Sequence, residues 1–263
     1  PNDKDHPDLT LKQLSNAIKS VYASVFYKES KTYMEITKNV IDEEKMAIII
    51  QELCGTKYDG LYFPTLSGIG RSINFYPISP EKYEDGIAKI AHGLGKIIVE
   101  GGRSLRFSPK YPKKVLQLSS PATALQETQK HIFALNLDPE SYRPAVDDGI
   151  NLEKKRIRDI VKNPNMKYVA SSYDYNNNII RPGIYYEGKK LITFDYILQH
   201  KTFPLAKILQ TLLKQGQKEM NNPIEIEFAA NLDTQKGKSQ EFYFLQIRPV
   251  VESSDDQKVK LNK

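Results

Sequence analysis

Apolar side chains at Leu11, Leu14, Ile18, Val21, Tyr22, Val25 and Phe26 recur at helical spacing behind the capping-box pair Thr10 and Gln13, which predicts a first helix. Residues 46–53 form a short, isoleucine-rich apolar run that reads as a buried strand. Residues 60–63 and 72–76 read as further short strands on either side of a flexible turn at 66–70. Ser79-Pro80-Glu81 has the chemistry of a helix start, and Tyr83, Ile87, Ile90 and Ala91 carry that helix to a stop at Gly93. Residues 97–99 then resume as a strand, and 103–121 form a basic, proline-containing connection without a firm period.

In the second half, residues 152–161 read as a short charged helix ended by Asn163-Pro164. Four short strands follow at 168–173, 179–181, 184–186 and 191–194, separated by asparagine, proline and glycine turns. Pro204 opens an amphipathic helix with Leu205, Ile208, Leu209, Leu212, Leu213 and Met220 on one face. Two strands close the pattern, 224–230 and 242–248, and a polar tail occupies 252–263. Mixed helices and apparent hairpins make the expected fold class α+β rather than a doubly wound parallel sheet.

The last two strands carry the candidate chemistry. In Ile224-Glu225-Ile226-Glu227-Phe228, alternation puts both carboxylates on one face, and in Leu245-Gln246-Ile247-Arg248-Pro249 it groups Gln246 with Arg248. An antiparallel turn centred on Lys236-Gly237 sets Glu227 opposite Gln246 and Glu225 opposite Arg248, with cross-strand Cβ atoms about 4.5–5.5 Å apart. Carboxylate and amide oxygens of this kind suit Mg²⁺, which keeps much of its shell for phosphate and water. A guanidinium beside them can clamp a phosphoryl oxygen and stabilise charge during transfer. An exposed hairpin face with a cross-strand ion pair would leave the same trace in sequence.

Composition narrows the classes. The 263 residues are 40% hydrophobic and 27% charged, as in a soluble globular protein with room for a core. No apolar run approaches the roughly 20 residues of a membrane span, and the polar start at residues 1–7 does not resemble a signal peptide. A single cysteine, Cys54, rules out an internal disulfide and suits a reducing cytoplasm. Cys54 itself reads as a core residue rather than a nucleophile. The formal charge of +6 comes from lysines scattered along the chain rather than interleaved with aromatics, so nucleic acid is not the expected partner.

The arrangement Pro-Ile-Glu-Ile-Glu-Phe-Ala followed by Phe-Leu-Gln-Ile-Arg-Pro resembles the end of the nucleotide-binding domain of phosphoenolpyruvate synthase and pyruvate phosphate dikinase, which usually reads Asp-Ile-Glu-Trp then Leu-Gln-x-Arg-Pro. Three further stretches resemble that domain in order. Val21–Phe26 is similar to its Trp-Ala-Ser-Leu-Phe helix. Met46–Leu53 and then Gly60–Phe63 are similar to its Met-Ala-Val-x-Val-Gln and Gly-Val-x-Phe strands. His92–Lys96 with Val99 and Gly101 resembles Gly-Leu-Gly-Glu with Val-Val-x-Gly. The resemblance implies an ATP-grasp fold over residues 1–251, with an insertion at 103–221. It implies ATP and Mg²⁺ as ligands: Glu227 and Gln246 on the metal, Glu225 and Arg248 on the polyphosphate, Arg248 as the catalytic cation, and Gln51, Glu52 and Leu53 along adenine. It also implies, elsewhere in the parent chain, a swivelling phosphohistidine domain and a phosphoenolpyruvate/pyruvate domain as partners.

Departures qualify the expectation. The family's early glycine-lysine and Val-Arg-Ser-Ser segments are missing, so the domain is expected to be incomplete on its N-terminal side, weak in nucleotide binding and inactive by itself. Lys96 stands in place of a glutamate, and Tyr33-Met34 in place of a tyrosine-arginine pair. None of His6, His92, His131 and His200 sits in a phosphohistidine motif, and each reads as a surface or packing residue. A dikinase with a glucan or antibiotic acceptor, or a degenerate scaffold module, are the alternatives.

Overall fold

The computed structural model describes residues 7–37, 46–138, 141, 143, 148–232 and 239–250. They fall into two compact units: Pro1–Leu53, Lys57–Phe63 and Ala134–Lys154 form the first, and Cys54–Thr56, Pro64–Phe133 and Lys155–Lys263 the second. In chain order the helices are α1 (Pro7–Ala23), α2 (Lys28–Thr37), α3 (Lys96–Val99), α4 (Pro121–Glu127), α5 (Met166–Val169), α6 (Asp195–Leu198) and α7 (Leu205–Met220). The strands are β1 (Thr56–Tyr58), β2 (Leu61–Phe63), β3 (Leu66–Arg71), β4 (Ile87–Ala91), β5 (Leu105–Phe107), β6 (His131–Asn136), β7 (Leu152–Arg156), β8 (Ala170–Asp174), β9 (Ile179–Pro182), β10 (Lys189–Ile192), β11 (Ile224–Asn231) and β12 (Glu241–Pro249). The mixture is the expected α+β class, and no helix among the described residues is long and apolar enough to cross a membrane.

In the first unit α1 runs into a short 3₁₀ turn at Ser24–Phe26, and β2 pairs antiparallel with β6, Leu61 opposite Asn136. The helix forms, but it starts at Pro7, so Thr10 and Gln13 lie inside it rather than capping it, Val25 and Phe26 fall in the 3₁₀ turn beyond its end, and it buries none of its own residues. The apolar run at 46–53 does not become the expected buried strand. It has no regular secondary structure, and Ile49 is 91% exposed. A strand needs a ladder partner, and the four-stranded sheet of this region is completed by β1, β2, β6 and β7 without it.

The second unit is built on a five-stranded antiparallel sheet in the order β12-β11-β3-β4-β5. One face is apolar. Ile226, Phe228, Ala88, Ile90 and Phe107 are fully buried there, and α7 packs on it through Leu209 and Leu213. Gly216 lets α7 lie close, since a Cβ at that position would come within 2.9 Å of Ile247. A second, three-stranded sheet, β10-β8-β9, packs Tyr173 and Leu191 against α4. Ser120 caps α4 by accepting the Thr123 amide at 3.1 Å.

Several elements differ from expectation, each for a local reason. Residues 66–70 are a central strand rather than a turn. Gly68 is there because a Cβ would run into the Phe228 ring and lie 2.7 Å from the Lys89 carbonyl oxygen, not because the chain reverses. Residues 87–91 are β4 rather than the end of a helix. Gly86, at φ 68°, breaks the chain just before it, and Ala88 and Ile90 point inward around outward Lys89. Short apolar runs fit either period, and the run at 97–99 is a helical turn instead of a strand. Leu152–Arg156 is a strand followed by a 3₁₀ turn, instead of one helix, and neither 72–76 nor 184–186 is a strand. The turn at Lys236-Gly237, the tail at 252–263 and His6 lie outside the described residues.

Candidate functional site

β11 and β12 pair antiparallel with Glu225 opposite Arg248 and Glu227 opposite Gln246, the register that alternation and turn position predict. A bulge between Glu227 and Phe228 shifts the pairing beyond that point, so Phe228 faces Phe244 and not Leu245. On its other side β11 pairs with β3, placing Arg71 opposite Glu225 and Ile69 opposite Glu227. The row continues through Lys89 on β4 to Arg106 on β5. Because cross-strand partners share a face, Glu225, Glu227, Gln246, Arg248, Arg71, Lys89 and Arg106 all belong to the face opposite α7.

Glu225 is the centre of this face. Its carboxylate is buried and takes Arg71 Nε on Oε2 at 2.5 Å, while Arg248 donates to Oε1 from Nε at 2.8 Å and also from Nη2. Burial pushes the Glu225 carboxyl upward, but the hydrogen bonds from Arg248 and Arg71 together outweigh it and hold the group below the usual carboxylate range. In return Glu225, and more weakly Glu227, hold Arg248 more firmly protonated. Both guanidinium groups are about half exposed, at 46% for Arg71 and 56% for Arg248, so their remaining N–H donors face solvent.

Glu227 is half-buried and Gln246 exposed, and among the described residues neither side chain has a hydrogen-bond or ion-pair partner. Lys89 is likewise exposed and without a partner among them. Arg106 is engaged, donating to Asn74 Oδ1 at 3.0 Å and the Tyr76 carbonyl at 2.8 Å. Alternation within β11 and β12 reveals four of these side chains. Arg71 and Lys89 escape sequence reading because their strands look like a turn and a helix.

Gln51, Glu52 and Leu53, expected along adenine, belong to the first unit and are exposed. They are not the end of a strand, and the Leu53 carbonyl accepts the Tyr62 hydroxyl at 3.0 Å. Lys96 ion-pairs with Glu100 one turn later at 3.0 Å. Cys54 is buried and is not in a disulfide. His92 is fully buried, its Nδ1–H donating to the Thr65 carbonyl at 2.7 Å, and burial pushes its pKa down to about 4, which keeps it neutral. A cavity of about 670 Å³ between α7 and residues 84–86 holds none of the expected site residues.

The model of the pyruvate phosphate dikinase AMP/ATP-binding domain matches residues 9–263. The chain belongs to this family. No curated protein matches it closely enough to count as a relative. Membership makes the chain an ATP-binding module of the dikinase type and agrees with its α+β fold. A nucleotide's phosphates are polyanionic, and this dikinase-family domain carries on one sheet face two half-exposed guanidinium groups, an exposed lysine and the Glu227 carboxylate, which has no hydrogen-bond or ion-pair partner among the described residues. Among the described residues no three or more His, Cys, Asp or Glu side chains cluster as a self-sufficient metal site. Glu227 and Gln246 nevertheless offer the hard oxygen donors that Mg²⁺ prefers when phosphate and water fill the rest of its shell.

Proposed function

We propose that the chain is the ATP-binding part of a phosphoenolpyruvate synthase or pyruvate phosphate dikinase-like phosphotransferase, in which ATP phosphorylates a carrier histidine. The observation that carries this reading is the register that sets Glu225 against Arg248 and Glu227 against Gln246 on the face away from α7. Glu227 and Gln246 would hold Mg²⁺, which neutralises charge on the β- and γ-phosphates. Both oxygens of Glu225 are already taken by guanidinium groups, and a carboxylate repels phosphate. Its contact with polyphosphate is therefore indirect: Glu225 orients Arg248 and Arg71, and these meet the anion. Arg248 then stabilises charge on the transferring phosphoryl group through a fixed planar fork.

The histidine acceptor would sit in a swivelling phosphohistidine domain, with a phosphoenolpyruvate/pyruvate domain supplying the final substrate, all in the cytoplasm. The test is steady-state phosphohistidine formation in a polypeptide carrying that acceptor. Arg248→Lys keeps the charge but loses the fork, so turnover should fall on the order of tenfold to a hundredfold with ATP affinity nearly unchanged. Wild-type turnover in that variant would remove the clamp role. No phosphohistidine formation in the wild type would instead favour a non-catalytic module, for which Lys96 paired to Glu100 in place of a glutamate is the supporting observation.

A further inference from the structure

Away from the Glu225–Arg248 face, the second unit has a cavity of about 650 Å³ where the edge strand β10, the 3₁₀ turn at Ile157–Ile160 and the start of β6 meet. The main-chain bond from the Ile157 amide to the Lys130 carbonyl, 3.0 Å, ties the last two together. Six basic side chains line it: Lys130, His131, Arg156, Arg158, Lys189 and Lys190. No aspartate or glutamate among the described residues does so. Ile157, Val161 and Leu191 supply an apolar part of the wall. The lining shares no residue with the site described above.

The cations in this cavity are poorly neutralised. Lys130 Nζ donates to two neutral acceptors, the Leu125 carbonyl at 2.5 Å and Thr128 Oγ1 at 3.4 Å. Lys190 Nζ donates to Ser172 Oγ at 2.8 Å and to the Tyr186 carbonyl. Arg156 and Lys189 have no hydrogen-bond or ion-pair partner among the described residues, and Arg158 has only an exposed, 3.5 Å contact with its neighbour Asp159. Burial, and after it the positive charges of Lys189 and Arg103, push the Lys130 pKa down to about 8, with Glu127 opposing them more weakly. Like charges gathered against a partly apolar wall are unfavourable until an anion enters.

We propose that this cavity is a second anion site, which takes a small phosphate monoester with an apolar body. The phosphate would lie among Lys130, Arg156 and Lys189, where charge-assisted hydrogen bonds are strongest. The organic part would lie against Ile157, Val161 and Leu191. A concave pocket of this volume suits a small molecule.

Phenyl phosphate is the probe, titrated into the ¹⁵N-labelled chain in EDTA at low salt and followed by amide shifts. Saturable shifts are expected at residues 129–131, 156–158 and 188–191. The double variant Arg156→Glu/Lys189→Glu, at two exposed positions, should weaken binding roughly tenfold or more, with an unchanged amide spectrum elsewhere showing that the fold is intact. Inorganic phosphate should bind the wild type more weakly than phenyl phosphate, because it leaves the apolar wall uncovered. Arg248→Ala should leave all of these shifts in place, which separates this site from the proposed ATP face. Absence of saturable shifts at these amides, unchanged affinity in the double variant, or equal affinity for inorganic phosphate would overturn the proposal.

Discussion

β11 and the run at residues 46–53 both carry isoleucines, and the second is the more apolar, yet they end in opposite environments. Ile224, Ile226 and Phe228 are fully buried between neighbouring strands and α7, whereas Ile49 is 91% and Ile50 68% exposed. β11 alternates apolar residues with carboxylates and has a ladder partner on each side. The 46–53 run has neither alternation nor a ladder. Apolar content measures what a segment would gain by burial. Period and partners decide whether it is buried.

The largest effect should come from the β11 side of this contrast. Phe228 is fully buried, stacks on Phe242 with centroids 5.5 Å apart, and fills the space that Gly68 leaves. Phe228→Ala should cost about 3–5 kcal/mol in urea unfolding. A loss below about 1 kcal/mol would mean that the sheet does not depend on this interlock.

An intermediate effect is expected at Glu225. Glu225→Gln removes the charge shared by two arginines, which should cost about 1–3 kcal/mol near neutral pH, less than for a fully buried pair because both guanidinium groups are half exposed. The folded-state pKa lies below the ordinary value of 4.5, so the unfolded chain binds more protons in that range. The stabilisation is therefore fully present above about pH 4.5 and fades as pH falls through the folded value. Wild type and Glu225→Gln should converge in stability on acidification. A constant gap down to pH 2 would show that the cost comes from packing rather than charge.

The smallest effect belongs to the exposed run. Ile49→Ser should change stability by less than about 0.5 kcal/mol. A loss near that of Phe228→Ala would break the comparison, because it would place Ile49 in a core.

Legibility in the sequence follows the same division. The amphipathic α7 and the β11–β12 pair were readable, down to the partners of Glu225 and Glu227, because a period-two pattern and a turn position together leave one register that keeps the apolar face buried. The bulge after Glu227 was not readable, since the extra residue on β12, Leu245, fits the apolar pattern of the strand without marking a break. β3 was hidden because its glycines serve close packing across strands rather than a turn, and β4 because Ile87, Ile90 and Ala91 satisfy helical spacing as well as alternation. Missing those two strands meant missing Arg71 and Lys89, which extend the basic row across the sheet. Both depend on which strands become neighbours, a long-range outcome that local pattern does not encode.

The assignment of the sheet face to metal and phosphate is tested most directly by paramagnetic broadening. Substoichiometric Mn²⁺ added with ATP to the ¹⁵N-labelled chain should broaden the Gln246 side-chain amide and the backbone amides around Glu227 first, even if binding is weak. Glu227→Gln should reduce that broadening at a given Mn²⁺ concentration, because a hard cation loses an anionic ligand. Broadening confined to other parts of the chain, or unchanged in Glu227→Gln, would contradict the assignment.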